Sequence, residues 1–259
     1  MNERIEPHLT LVGAGPGDPE LITLKGVLAL AKADVVLYDA LVDKALLQHA
    51  PASALKIYVG KRNGSRDNPQ EETNRLIVHY ALKYGHVVRL KGGDAFVFGR
   101  GAEEIDYAQQ FGIATCVIPG ITSSIAVPAS QGIPVTKRGV SESFWVITGT
   151  TSSGQLSSDL HLAVQSTATV VVLMATRKLS EIVKLYKQYD KSSTAIALIQ
   201  NGTTREEKVV AGTISDIEQK VILSGIGAPA VMVIGEVVRE SPRLVQVYKE
   251  ALAVEVPLS

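Results

Sequence analysis

The chain has 259 residues, 46% hydrophobic and 20% charged, and its 26 basic and 26 acidic residues give a net charge of zero. This composition indicates a globular protein without the basic excess of a general nucleic-acid binder. One cysteine excludes a disulfide framework, and five histidines without ligand spacing predict no metal site. The charged N-terminus and the lack of an apolar run of about 18 residues predict a soluble, cytoplasmic protein that contacts neither membrane nor nucleic acid.

The first half of the chain alternates short apolar runs with stretches of helical periodicity. We predict strands at residues 9–12, 35–38, 55–59, 87–90 and 115–118. We predict helices between them at residues 21–31, 42–49, 71–82 and 102–110. Strand–helix–strand alternation of this kind predicts crossover units and a mostly parallel sheet.

The segment from Gly132 to Gly139 interrupts both periodicities and predicts a domain boundary. We therefore expect two α/β domains, over residues 1–135 and 136–259. In the second domain, strands are predicted at 144–148, 169–174, 195–199, 207–211 and 230–234, and helices at 179–188 and 214–223. The spacing of the 207–211 run favours an antiparallel neighbour and hence a mixed sheet.

Glycine or charge follows every predicted strand of the first half. Because ligands of open α/β sheets bind beyond the carboxyl ends of the strands, these segments are candidates for a binding cleft. Any one of them could be an ordinary turn. Five at one sheet edge favour a ligand site. The segments are Gly13-Ala14-Gly15-Pro16-Gly17-Asp18, Tyr38-Asp39, Gly60-Lys61-Arg62, Lys91-Gly92-Gly93-Asp94 and Pro119-Gly120-Ile121-Thr122-Ser123-Ser124.

The first of these segments only partly matches a dinucleotide-binding fingerprint. Gly13 and Gly15 fit, but Asp18 occupies the position of the third glycine. An acid there places negative charge where a pyrophosphate would lie. The segment therefore disfavours a pyrophosphate cofactor and is compatible with a cofactor that carries no phosphate.

Several charged residues of these segments have both a chemical and a structural interpretation. Asp39 is a candidate general base or the N-cap of the next helix. Asp94 is a candidate acceptor for hydroxyl or amino groups, or a turn residue. Lys61 and Arg62 are candidates for an anionic substrate, or a solvated pair. Clustering of the cations predicts a positive pocket for a polyanion; they are Lys56, Lys61, Arg62, Arg66, Arg100, Lys137 and Arg138.

In their combination and order, these segments resemble the signatures of the tetrapyrrole methylases. The similarity covers about residues 8–240 and includes the segments after all five strands. It implies a two-domain α/β homodimer that binds S-adenosylmethionine in the cleft between its domains. It also implies methylation of uroporphyrinogen III, a small tetrapyrrole, at carbons 2 and 7. The products would be precorrin-2, for sirohaem or cobalamin synthesis, and S-adenosylhomocysteine.

The resemblance also assigns roles to single residues. Asp39 would be the proton acceptor and Lys61 the proton donor. The cofactor contacts would be Pro16, Gly92, Gly93, Asp94, Val97, Thr122 and Ser123, with Met174 and Gly202 from the second domain. Candidates to pair with the eight substrate carboxylates are Arg62, Arg66, Arg100, Lys137 and Arg138.

Three positions depart from the family pattern, and the two that replace histidines bear on the expected substrate contacts. Ala95 replaces a proline, while Lys137 and Thr150 replace histidines. Three alternatives stay open: a methylase that acts later on the corrinoid ring, an NAD-dependent dehydrogenase, and a module that binds S-adenosylmethionine or tetrapyrrole without catalysis. The sequence shows no catalytic arrangement that is typical of a dehydrogenase, and the presence of Asp39 and Lys61 disfavours a binding module.

Overall fold

The structure is a computed structural model that describes residues 6–60 and 70–244. The chain forms two compact units, which divide between Thr122 and Ser123. Each unit is built on its own five-stranded sheet. The two α/β domains expected from the sequence are thus confirmed.

The first unit contains a parallel sheet in the strand order β3-β2-β4-β1-β5. Its strands are β1 (His8–Gly13), β2 (Val35–Tyr38), β3 (Leu55–Tyr58), β4 (His86–Lys91) and β5 (Ala114–Ile118). All four neighbouring pairs run parallel. Their carboxyl ends therefore meet at one edge, as the alternating pattern predicts.

Helices cover the two faces of this sheet because the strands carry apolar side chains on both. The helices are α1 (Leu24–Leu30), α2 (Gln70–Tyr84) and α3 (Gly101–Gln109). Leu9 and Leu11 of β1 are fully buried in the core that includes residues of α2 and α3. Val12 of the same strand points to the opposite core, which contains Leu30 of α1.

The segments after β1 and β2 differ from the single helices that were predicted. Asp18 caps a 3-10 turn, Pro19–Leu21, and α1 begins afterwards at Leu24 with Thr23 as its N-cap. The second segment forms a 3-10 helix, Lys44–His49, instead of an α-helix. In the first segment, the capping side chains of Asp18 and Thr23 thus divide into two elements what the periodicity predicts as one helix.

The second unit contains a mixed sheet in the order β6-β7-β10-β8-β9. Its strands are β6 (Phe144–Thr148), β7 (Thr169–Leu173), β8 (Ala195–Gln200), β9 (Lys208–Thr213) and β10 (Ala230–Ile234). Its helices are α4 (Ser123–Ser130), α5 (Leu160–Ala163), α6 (Leu179–Gln188) and α7 (Ile217–Ser224). β8 and β9 pair antiparallel, which confirms the predicted mixed sheet.

The division between the units lies before α4 and not after residue 135, where the predicted boundary stands. Helix α4 was not predicted, because Pro128 and a run of small residues conceal its periodicity. It contacts β7 and β10, and so belongs to the second unit. The contacts of this helix, and not the glycine-rich segment after it, therefore determine where the chain divides.

The part of the chain that the structure describes contains neither a candidate membrane span nor a candidate metal-binding group. None of the helices there is both long and apolar enough to cross a membrane. Nor do the described ranges contain a group of three or more histidine, cysteine, aspartate or glutamate side chains arranged to hold a metal ion.

Candidate active site

Three glycines bring the ends of β1, β4 and β5 into close contact. A Cβ atom on Gly13 would lie 2.5 Å from Gly120 Cα and 2.7 Å from the Gly93 carbonyl oxygen. Gly15 and Gly93 exchange two backbone hydrogen bonds, of 3.2 and 2.7 Å. The absence of side chains at these positions therefore allows three loops to converge at the edge of the sheet.

Asp94 ties two of these loops together. Its Oδ1 accepts a hydrogen bond from Phe96 N at 2.8 Å, and its Oδ2 accepts one from Gly120 N at 3.0 Å. The turn interpretation of Asp94 therefore describes a real structural role. Each carboxylate oxygen can accept more than one hydrogen bond, so this role does not prevent contact with a ligand.

The carboxylate of Asp39 lies just beyond the end of β2. Arg89 of β4 donates a hydrogen bond to its Oδ1 at 2.6 Å, and Lys91 Nζ lies 3.9 Å from its Oδ2. The side chain is 28% exposed, so a ligand can reach it. The alternative that Asp39 caps the following helix is wrong, because Asp43 is the residue that caps it.

Behind Asp39 lies a set of charged side chains that we call the buried ion cluster: Arg89, Lys91 and Glu104. Glu104 Oε1 lies 3.1 Å from Arg89 Nε and 3.0 Å from Lys91 Nζ. The exposed fraction of each of the three side chains is 4% or less. Burial lowers the pKa of Lys91 and the charge of Arg89 lowers it further, while Glu104 and Asp39 oppose this shift.

The remaining predicted cofactor contacts of the first unit lie in the same loops. Pro16 follows β1, Gly92 and Val97 follow β4, and Thr122 follows β5. The Val97 amide donates to the Asp94 carbonyl at 3.3 Å, within the loop that leads to α3. Ser123 is the first residue of α4, in the second unit.

In the second unit, Met174 directly follows β7 in a strained conformation. Its φ is +56° and it is 52% exposed, which is unusual for methionine. The hydroxyl of Thr150 donates to the Met174 carbonyl at 2.9 Å. Thr150, one of the departures from the family pattern, thus fixes the backbone of a predicted cofactor contact.

Gly202 lies in a tight turn between β8 and β9. Asn201 and Thr203 on either side have φ values of +50° and +68°. Glu207 holds this turn, because its Oε2 accepts from Thr203 N at 2.7 Å and from Ser130 Oγ at 2.9 Å. The carboxylate therefore links the turn to the end of α4.

Most of the predicted substrate cations are either engaged with acids or outside the described residues. Arg100 pairs with Glu103, at 2.8 Å from Nε and 2.6 Å from NH2. Lys137 pairs with Glu240. Arg138 is exposed. The predicted roles that fall outside the described residues are those of Lys61, Arg62 and Arg66.

The profile of the tetrapyrrole (corrin/porphyrin) methylases matches residues 8–218. The chain belongs to this family. A uroporphyrinogen-III C-methyltransferase of Methanocaldococcus jannaschii is 49% identical to this methylase over 230 residues, which are 88% of the chain and 95% of that relative. A siroheme synthase of Pseudoalteromonas atlantica is 43% identical over 88% of the chain, which spans only 50% of that relative's length.

Solved structures of tetrapyrrole methyltransferases share the fold of this methylase. A uroporphyrin-III C-methyl transferase from Thermus thermophilus, complexed with S-adenyl homocysteine, superposes with a TM-score of 0.77 at 38% identity. The match covers 90% of this chain and 99% of that one. A cobalt precorrin-4 methyltransferase superposes with a TM-score of 0.79 at 25% identity, over 89% of this chain and 95% of its own.

The sequence predictions missed the buried ion cluster. Arg89 lies in the predicted strand 87–90 and Lys91 begins the segment after it, but neither was assigned a role, and Glu104 was predicted only as part of the helix 102–110. One signal was available: two cations flank Leu90 in a strand whose preceding residues, Val87 and Val88, are apolar. Residues two apart in a strand share a face, so the sequence places both cations on the same side of the sheet.

Proposed function

We propose that the chain is a uroporphyrinogen-III C-methyltransferase, which uses S-adenosylmethionine to methylate uroporphyrinogen III at carbons 2 and 7 and forms precorrin-2. The observation that carries the proposal is the partly exposed Asp39 carboxylate, held by Arg89 at 2.6 Å beyond the end of a parallel sheet. The names and extents of the relatives from Methanocaldococcus jannaschii and Thermus thermophilus support the same reaction.

The loops at this sheet edge fit a cofactor without phosphate. Helix α1 begins only at Leu24, so its N-terminus does not directly follow the glycines of residues 13–17, and Asp18 adds a negative charge between them. Gly93 has a φ of +65°, which favours glycine, so no side chain fills the space beside the loop at this position. The proposed contacts in this unit are Pro16, Gly92, Gly93, Asp94, Val97 and Thr122; Ser123, Met174 and Gly202 of the second unit are proposed as well.

S-adenosylmethionine supplies an electrophilic methyl group, so this chemistry needs no covalent nucleophile on the enzyme. The chain has to orient the substrate and to move protons. We assign Asp39 as the proton acceptor. Its Oδ1 is occupied by Arg89, whereas its Oδ2 lies 3.9 Å from Lys91 Nζ, beyond hydrogen-bond distance, and is the oxygen that we assign to the transfer. Lys61 is the proposed donor.

The substrate carries eight carboxylates, and arginine and lysine are their natural partners. We propose Arg100, Lys137 and Arg138 for this role, together with Arg62 and Arg66. Arg100 and Lys137 already pair with Glu103 and Glu240, so a substrate carboxylate would share or replace these acids. We also propose that the enzyme is a cytoplasmic homodimer and that its product feeds sirohaem or cobalamin synthesis.

The test is an anaerobic incubation of the protein with uroporphyrinogen III and S-adenosylmethionine, followed by mass spectrometry of the product. Two added methyl groups support the proposal. Methylation of a later precorrin, without methylation of uroporphyrinogen III, would instead support a methylase that acts later on the corrinoid ring. Cofactor and substrate binding without turnover would instead support a binding module. Asp39→Asn is expected to abolish turnover and to leave S-adenosylhomocysteine affinity within about twofold of the parent.

A further inference from the structure

Glu104 of α3 is a fully buried carboxylate on which three side chains converge. Its Oε1 accepts from Lys91 Nζ at 3.0 Å, from Arg89 Nε at 3.1 Å and from Gln70 Nε2 at 3.1 Å. Its side chain is 0% exposed, so neither solvent nor a dissolved ligand can contact Glu104. Burial of a carboxylate is costly, and a well-packed apolar side chain is often at least as stabilising. Stability alone therefore does not explain an acid at this position.

We propose that Glu104 is a positioning residue, which orients the Asp39 carboxylate through the side chains of Arg89 and Lys91. The proposal rests on the role of Asp39 in the proposed function. It names a residue that contacts neither substrate nor cofactor, and it explains why two cations lie on a strand in the interior of the first unit.

The Arg89 guanidinium is the main link between the two acids. Its Nε donates to Glu104 and its NH2 donates to Asp39, while its NH1 lies 3.3 Å from the Leu90 carbonyl and 3.4 Å from the Leu37 carbonyl. Because the guanidinium is planar, a partner on Nε fixes the direction of NH2. Loss of the Glu104 charge would therefore loosen the group that holds Asp39.

The exposure of Asp39 and of the three side chains in the buried ion cluster shows which of these four charged groups faces solvent. Two cations face two carboxylates, so the charges balance when both acids are ionised. Arg89 and Lys91 are each 4% exposed and Glu104 is fully buried, whereas Asp39 is 28% exposed. Of these four side chains, only Asp39 is exposed enough for a ligand to contact it. A purely structural network would not require its partly exposed member to lie at the binding edge of the sheet.

The variant Glu104→Gln tests the proposal because it keeps the shape of the side chain and removes its charge. We expect kcat to fall about tenfold to hundredfold, as for a catalytic group misplaced by about 1 Å. KM for both substrates and the dissociation constant of S-adenosylhomocysteine should stay within about twofold of the parent. The matched control is Asp106→Asn, the same acid-to-amide change at an exposed position of α3, with kcat expected to stay unchanged.

The pH profile separates positioning from a merely structural role. The charges that act on Lys91 are those of Arg89 on its own strand, Asp39 after β2, and Glu104 and Glu103 on α3. Glu104 raises the pKa of Lys91 against the effects of burial and of Arg89. Without the Glu104 charge, Lys91 loses its proton at lower pH. The positive charge that lies 3.9 Å from Asp39 Oδ2 is then lost at that lower pH. The alkaline limb of kcat in Glu104→Gln should therefore move to lower pH; an unmoved limb would contradict the proposal.

A second variant, Glu104→Asp, keeps the charge and serves if the glutamine variant does not fold. Its shorter side chain cannot hold both cations as before, so kcat should fall, but less than in a folded glutamine variant. Full activity of Glu104→Asp and of any folded Glu104→Gln would overturn the proposal. If Asp39→Asn is inactive in the same assay, only the positioning role has failed. If Asp39→Asn stays active, the assignment of Asp39 itself has failed.

Discussion

Replacement of Gly13 by alanine tests how closely the loops after β1, β4 and β5 are packed. The new methyl group would lie 2.5 Å from Gly120 Cα and 2.7 Å from the Gly93 carbonyl oxygen, whereas ordinary contacts begin at 3.4 Å. All the atoms that it meets belong to the backbone, so a side-chain rotation cannot relieve the clash. Gly13 is not among the residues with positive φ, so the test is purely steric.

The expected loss in the free energy of unfolding follows from these distances. The loops must separate by about 1 Å, and overpacking of this kind costs about 1–3 kcal/mol. The same movement would break the 2.7 Å hydrogen bond from Gly93 N to the Gly15 carbonyl, a loss of about 1 kcal/mol. We expect a total of about 3 kcal/mol, which for a chain of this length lowers Tm by about 6–12 °C.

Thermal unfolding, followed by circular dichroism, measures this effect. The control is Gly227→Ala, whose Cβ would meet only Gln200 Nε2, at 3.9 Å. Gly227 does not have a positive φ either, so its variant should stay within about 0.5 kcal/mol of the parent. If Gly13→Ala melts within about 2 °C of the parent, the three loops are not packed as described.

Three further predictions concern the second unit. Glu207→Ala should lower the free energy of unfolding by about 2–4 kcal/mol in urea titrations, because Thr203 N loses its charged acceptor. Calorimetry should also show that this variant binds S-adenosylhomocysteine more weakly. Unchanged binding would show that the turn around Gly202 is not part of the cofactor site. Burial opposes ionisation of Asp216, but its hydrogen bond with Lys220 contributes to a net lowering of its pKa below 3.8. The stabilisation by ionised Asp216 is therefore complete above pH 3.8 and is lost as the pH falls through the lowered pKa of the folded state. The difference in Tm between the parent and Asp216→Asn should shrink over that pH range. A constant difference would refute this linkage. Arg138→Ala should raise KM for uroporphyrinogen III about tenfold and leave S-adenosylhomocysteine affinity unchanged; an unchanged KM would remove Arg138 from the substrate site.

Much of the fold could be predicted because local patterns determine it. The strand Val35–Tyr38 and the helix Leu179–Gln188 agree with their predicted limits. Both are bounded by clear changes of period and carry the apolar side chains that each core needs. Helix α4 could not be predicted in this way, because Pro128 and its small residues resemble a loop.

The contacts of the candidate site depend on strand order, which periodicity does not reveal. Asp39 and Arg89 are fifty positions apart, and they meet only because β2 pairs with β4. Asp94 reaches the amide of Gly120 because β1 lies between β4 and β5 and their loops converge. The sequence therefore identified the residues at the sheet edge, whereas their partners required the fold.

The buried ion cluster also constrains how the first unit can change during evolution. Removal of one member leaves a buried charge unpaired, which costs about 3–5 kcal/mol, while replacement of a whole buried set by apolar residues is often neutral or stabilising. Substitutions at Arg89, Lys91 and Glu104 are thus strongly coupled. As far as stability is concerned, a descendant sequence can keep all three or exchange them together, but the single steps between those states pass through a less stable protein.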